Sequence, residues 1–219
     1  MNKKDLERLK ENLPSKPGIL RRDEYFNSAV LIPLIFIDDE YHFLFEKRAV
    51  DIRQGGEICF PGGEVDKDSD KNFKATAVRE AVEELGIYKS KIKIIGILDT
   101  LVGPMGVTVD SVIGEIKIKN INELKIDKKE VEKIFTVPVS FFQHKHPDTY
   151  NLRVEVHSSY TEKDGKIIEL FPAKQLNLPE RYHGKWQVRN QKVFVYKTAG
   201  EVIWGITAIL VHELVRKLK

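Results

Sequence analysis

FPGGEVDKDSDKNFKATAVREAVEELGI, residues 60–87, decides the fold, because it joins a glycine-rich turn to a helix-period segment with acid on one face. Phe73, Ala77, Ala81 and Leu85 recur at helical spacing, so the pattern predicts a helix from about Lys71 to Leu85 with Gly86 as its C-cap. Residues three and four apart share a helix face, which gathers Glu80, Glu83 and Glu84 beside Arg79. Like charges at that spacing repel, and a divalent cation is their natural compensator. Mg²⁺ and Mn²⁺ take carboxylate oxygens, and Mg²⁺ in particular binds through one or two carboxylates plus a substrate's phosphates. Arg79 is placed to hold a neighbouring glutamate in one rotamer. By itself REAVEEL reads more often as a solvated acidic face. The glycines in front change that weighting, since FPGG ends a strand and lets the backbone pass close to whatever the glutamates hold.

Working outward, AVLIPLIFI (29–37) and YHFLFEK (41–47) read as two strands of a hairpin turning at Asp38-Asp39-Glu40, with Pro33 marking an edge or a bulge. The stretch 53–66 reads as a loop, a brief strand at Ile58-Cys59-Phe60 and another loop. Further strands are expected at 91–101 and 107–118, joined by GPMG (103–106), and at VFVY (193–196). Leu6, Leu9 and Leu13 mark a surface helix over 3–13, and a helical turn is expected after Pro138. A final helix over 201–219 would bury Ile203, Ile206, Leu210, Leu214 and Leu218, with Lys217 and Lys219 in its last turn. Residues 143–190 carry only weak strand patterns. The order of elements allows an α/β chain with a mixed, partly antiparallel sheet.

At 219 residues one enlarged domain is expected, divided into an N-terminal helical segment (1–24), a core (25–142), and an insertion with the closing helix (143–219). Cys59 is the single cysteine, which excludes an internal disulfide and a thiolate metal site; any metal must bind oxygen or imidazole. Cys59 itself reads as a small buried hydrophobe. No apolar run approaches the roughly 20 residues of a membrane span, and no apolar stretch follows the basic N-terminus, so a cytoplasmic protein is expected. Lys and Arg (36) exceed Asp and Glu (33) by three, too weak a bias for nucleic acid as a partner.

The residues from Gly63 to Ile87 resemble the Nudix box: glycine, five residues, Glu, seven residues, Arg-Glu, an aliphatic residue, any residue, Glu-Glu, any residue, glycine and an aliphatic residue. Arg79 through Ile87 fits the second half, with Ala81 in the first aliphatic slot. The first half departs, for Gly63 lies 16 residues before Arg79 instead of 14, and Lys71 fills the slot of the first glutamate. Asp68 and Asp70 are the candidates to replace it; the run Asp66, Asp68, Asp70 otherwise reads as a solvated loop. Upstream, LFEKRAVDIRQGGEICFPGG (44–63) is similar to the element preceding the box in coenzyme A pyrophosphatases of this group, except that Phe45-Glu46 replaces Leu-Thr and two residues, not three, separate Arg53 from Gly56. The segment IWGITAIL is similar to the closing helix of the same subfamily.

The resemblance implies a Nudix-type α/β/α sandwich and hydrolysis of a nucleoside diphosphate linked to another group. Coenzyme A or an acyl derivative is the preferred substrate, giving adenosine 3′,5′-bisphosphate and a phosphopantetheine. It implies that Glu80, Glu83, Glu84 and the Gly63 carbonyl hold Mg²⁺ or Mn²⁺, which acidifies a water for attack at phosphorus. The general base is one of these glutamates or Glu130. Arg48 and Arg53, with Gly62 and Gly63, are the substrate-binding candidates; for the two arginines, pairing with Glu46 or Asp51 is the competing reading. The partners implied are a coenzyme A-like nucleotide and neither nucleic acid nor membrane, with a homodimer left open. Two alternatives stand: a Nudix hydrolase of ADP-ribose or a dinucleotide, and a non-catalytic module that senses a nucleotide.

Overall fold

The computed structural model describes residues 1–104 and 106–218, without the side chains of residues 187–189. Met105 and Lys219, which fall in the expected connection and last helical turn, lie outside the described residues. In chain order the elements are α1 (Lys3–Asn12), β1 (Phe26–Ile37), β2 (Glu40–Arg48), β3 (Ile58–Cys59), β4 (Gly62–Glu64), α2 (Phe73–Leu85), β5 (Ile92–Ile97), β6 (Leu101–Gly103), β7 (Val107–Ile116) and β8 (Val131–Pro138). There follow α3 (Val139–His144), β9 (Asp148–Val156), β10 (Ser159–Thr161), β11 (Ile167–Glu169), β12 (Trp186–Lys197), β13 (Val202–Trp204) and α4 (Gly205–Arg216). They form two compact units, residues 1–35 with 60–127 and residues 36–59 with 128–219.

In the first unit β1 pairs antiparallel with β4, Ala29 opposite Gly63, and parallel with β7, Ala29 opposite Asp110. β5 and β6 pair antiparallel with β7. The protein is therefore a mixed α/β chain with a mixed sheet, as expected. A parallel pair needs a crossover, and α2 lies in the one between β1 and β7. Asn72 caps α2, its side chain accepting from the amides of Lys74 and Ala75, which starts the helix two residues later than the apolar spacing suggests. Ala77, Ala81 and Leu85 are fully buried, as are Ala29, Leu31 and Val112 of the sheet. Gly86 ends the helix at φ +60°, and a Cβ there would sit 2.1 Å from the Lys125 carbonyl oxygen, so glycine is required on both counts.

Pro33 marks neither an edge nor a bulge, since β1 runs in unbroken register with β7 past it, Pro33 opposite Gly114. The Leu31 amide donates to the Pro61 carbonyl on the side away from β7, and position 33 points the same way, so the missing N–H removes no bond to β7. α1 is a surface helix with no buried residue, closed by an Asn2–Asp5 capping box.

In the second unit Asp38 and Asp39 take φ +49° and +63°, the left-handed pair of a two-residue hairpin turn into β2. β2 lies between β3 and β8, and β9, β12 and β13 form a separate antiparallel sheet. Phe43, Phe142 and Tyr196 pack edge to face with centroids 5.6 and 5.0 Å apart.

The closing helix is shorter than its pattern. Val202–Trp204 is strand β13, paired with β12, and Gly205 at φ +64° turns the chain into α4. Its buried face is Thr207, Ala208, Leu210, Val211, Leu214 and Val215; Ile206 and Leu218 are exposed, so the face is rotated from the expected one. Cys59 is half-buried and not a plain hydrophobe, because its thiol donates to Glu46 Oε1 at 3.2 Å. Glu46 is itself fully buried there.

Candidate active site

β4 and α2 build the acidic centre. Glu84, 2% exposed, accepts from the Gly62 amide at 2.8 Å, which ties the helix to the strand. Beside it, a Cβ on Gly63 would fall 2.4 Å from Glu80 Oε1, so glycine alone lets the strand pass this close to that carboxylate. Glu80 lies at 15% side-chain exposure, and Glu83 at 58% looks into water.

Arg79 organises these acids. Its Nη1 donates to Glu80 Oε1 at 2.8 Å and to Glu83 Oε2 at 3.1 Å. Its other edge makes a two-pronged pair with Asp70, Nε to Oδ1 at 3.1 Å and Nη2 to Oδ2 at 2.9 Å. Of the two candidate acids, Asp70 receives these Arg79 bonds. Its side chain is only 3% exposed, which corrects the reading of 66–70 as a wholly solvated loop. Asp66 shapes that loop, accepting from the Asp68 amide and the Ser69 hydroxyl.

The Arg79 hydrogen bonds hold the Asp70 carboxyl below the usual carboxylate range against the opposing pull of burial, with Thr76 adding to the lowering. Asp70 in turn raises the pKa of Arg79. A depressed folded pKa contributes stability above the unfolded value of roughly 3.9, and that stability is lost as pH falls through the folded value. Asp70→Asn is therefore expected to lower the melting temperature at neutral pH, with the gap to the parent narrowing as the pH falls below the unfolded value. Thermal melts across pH 2–7 check this; a constant gap refutes it.

As they stand, the three helix carboxylates do not converge. Arg79 joins Glu80 to Glu83 while the Gly62 amide turns Glu84 toward the strand, and among the described residues no three His, Cys, Asp or Glu side chains stand together at metal-ligand separations. The donor set still fits a hard divalent cation. It is all oxygen, Glu80 faces the cradle a Cβ on Gly63 would fill, and the exposed Glu83 has room to change rotamer.

Arg48, Arg53 and Glu130 belong to the second unit. The Arg48 guanidinium donates to the Arg53 carbonyl at 3.1 Å, and the Ala49 amide to the Glu130 carbonyl at 2.8 Å, so these three residues share one loop cluster. One cluster in the first unit had no sequence signal. Buried Asp110 pairs with Arg22 and accepts from the Thr100 hydroxyl at 2.6 Å, and Arg22 Nε donates to Asn27 Oδ1 at 3.0 Å. It ties the segment before β1 to the sheet, and only strand register, which brings Ala29 beside Asp110, reveals it.

A mixed sheet, a glycine strand and an acid-faced helix locked by an Asp–Arg pair make up the acidic centre of the first unit. The NUDIX domain family model matches residues 27–190, and the chain belongs to that family. It is 27% identical over 218 residues to Nudix hydrolase 3 of Caenorhabditis elegans, covering 94% of this chain and 82% of that protein. A protein of Photorhabdus laumondii named as an uncharacterized Nudix hydrolase, NudL, is 28% identical over 213 residues, covering 97% of this chain and 95% of that one. Among solved structures it is similar to the Nudix hydrolase RenU of M. smegmatis, with TM-score 0.45, 19% identity, and 54% and 73% of the two chains covered. The protein is a Nudix hydrolase acting on nucleoside diphosphate derivatives, and such hydrolases generally use divalent metal ions. No helix among the described residues is long and apolar enough to cross a membrane.

Proposed function

We propose that the enzyme hydrolyses the pyrophosphate bond of coenzyme A or an acyl-coenzyme A, giving adenosine 3′,5′-bisphosphate and the (acyl-)4′-phosphopantetheine. Water adds across one P–O bond of the bridge, and both phosphates leave as monoesters. The observation that carries the choice of substrate is the sequence element at residues 44–63, LFEKRAVDIRQGGEICFPGG, running into the glycine strand.

In this reading Glu80, Glu83, Glu84 and the Gly63 carbonyl hold Mg²⁺ or Mn²⁺. When bound, the ion supplies neutralisation of phosphate charge and an acidified water. Arg79, braced by Asp70, holds the Glu80 rotamer. Arg48 and Arg53 enter through the motif alone, as planar donors for the substrate's phosphates, and Glu130 enters as the base outside the helix. The departures from the motif, Phe45-Glu46 and the shortened Arg53–Gly56 spacing, favour a second reading in which ADP-ribose or a dinucleotide is the substrate.

A panel of coenzyme A, acetyl-coenzyme A, dephospho-coenzyme A, ADP-ribose and diadenosine polyphosphates, run with and without Mg²⁺ or Mn²⁺ and resolved by product, separates the two. Coenzyme A is expected to give the highest kcat/KM, with release of adenosine 3′,5′-bisphosphate. Better turnover of dephospho-coenzyme A and ADP-ribose sinks the first reading in favour of the second.

A further inference from the structure

β9 hydrogen-bonds β12 along its length and, among the described residues, has no strand on its other side. Natural edge strands are blunted by proline, lysine, bulges or covering elements. β5, the edge of the first unit's sheet, follows that rule with Lys93 and an irregularity between Ile94 and Gly96. The nine residues of β9, DTYNLRVEV, contain neither proline nor lysine, and the one irregularity of the pairing falls on β12, between Gln187 and Arg189. Away from β13 the two strands form a ribbon only two strands wide, an arrangement marginal in water without further pairing.

The side chains of β9 alternate. Tyr150, Leu152, Val154 and Val156 occupy one face, with Tyr150 51% and Leu152 55% exposed. Arg153 and Glu155 share the other, Nη2 to Oε1 at 2.7 Å, and Glu155 also lies 3.4 Å from both Lys185 Nζ and His157 Nε2. Opposite charges two residues apart make an edge complementary to itself. In an antiparallel pair centred on Val154, Arg153 stands opposite Glu155 of a second copy and Glu155 opposite its Arg153. On the other face Leu152 meets Val156 of the second copy and Val154 meets its own counterpart, at cross-strand contact distance.

We propose that β9 is an isologous dimer edge, pairing antiparallel with β9 of a second copy about a two-fold axis at Val154. The pairing satisfies the free backbone groups of the edge, widens each ribbon to four strands, and covers the flanks of Leu152, Val154 and Val156. It does not depend on which nucleotide the enzyme cleaves.

Light scattering coupled to gel filtration, on the full chain at about 1–100 μM, tests it. The parent is expected to run at twice its 25.2 kDa chain mass. Arg153→Glu, at a side chain 64% exposed, sets like charges against each other and should halve the mass without changing the circular dichroism. The double variant Arg153→Glu/Glu155→Arg restores opposite charge and should restore the dimer. Register is read separately in a Cys59→Ser background, where Val154→Cys should form an intermolecular disulfide under mild oxidation and Asn151→Cys should not. A parent monomeric at 100 μM, a dimer unmoved by Arg153→Glu, or equal cross-linking at 151 and 154 overturns the proposal.

Discussion

Glu83→Gln is expected to lower kcat by about 10²–10³-fold while leaving the melting temperature within about 2 °C of the parent. The two halves of that expectation come from one fact. Glu83 is 58% exposed, and its recorded bond is to Arg79, which keeps Asp70 and Glu80 as partners when the Glu83 charge is removed. Glutamine keeps the length and one acceptor oxygen, so the helix has little to lose. What disappears is a negative charge on the face where a cation would be shared with the substrate's phosphates. Glu84 would give a less clean test, because it is buried and bonded to the Gly62 amide, so its substitution mixes activity with folding. Steady-state turnover and a thermal melt of the same sample decide the matter. Turnover within threefold of the parent removes Glu83 from the chemistry and weakens the whole carboxylate assignment.

How much of this was legible in the sequence depends on the range of the interaction involved. Helix α2 was legible because its signal is local: Ala77, Ala81 and Leu85 repeat with the helix period and all three are buried. The Asp38-Asp39 turn was legible for the same reason. That Arg79 also pairs with Asp70 was not, since two inserted residues left both Asp68 and Asp70 close to the missing glutamate's slot at Lys71, and only the folded 66–70 loop selects Asp70. Pro33 misled because a proline rule applied to one strand ignores which side its nitrogen faces. The first residues of the closing segment misled because Val202, Ile203 and Trp204 fit a helical stripe as well as a strand, and pairing with β12 decided between them. Arg22 and Asp110, 88 residues apart, and Glu46 with Cys59, 13 apart, lie beyond any periodicity argument. The helix that carries the candidate chemistry and the hold of Arg79 on its neighbouring glutamates were therefore readable, while the contacts to Asp70 and to the Gly62 amide were not.

The two glycines of the β4 strand should fail in different ways when each is replaced by alanine. At position 62 the new Cβ would lie 2.4 Å from the Ala29 carbonyl oxygen and 2.7 Å from the Val30 Cα, both backbone atoms that move only if β4 leaves β1. Gly62→Ala should also strain the amide bond to Glu84, so the expected loss is in folding, on the order of 1–3 kcal/mol by the usual cost of overpacking. At position 63 the nearest atoms are the Glu80 carboxylate, at 2.4, 2.5 and 2.8 Å, the far end of a side chain that can turn away. Gly63→Ala should therefore leave the melting temperature near that of the parent but displace Glu80 from its place beside Arg79, and a misplaced carboxylate costs turnover on the order of 10²-fold. Melting curves and kcat measured on both variants separate strand integrity from carboxylate placement. If Gly63→Ala retains full turnover, the close passage of the strand past Glu80 serves packing alone, and Glu80 need not hold the position seen here for the reaction to proceed.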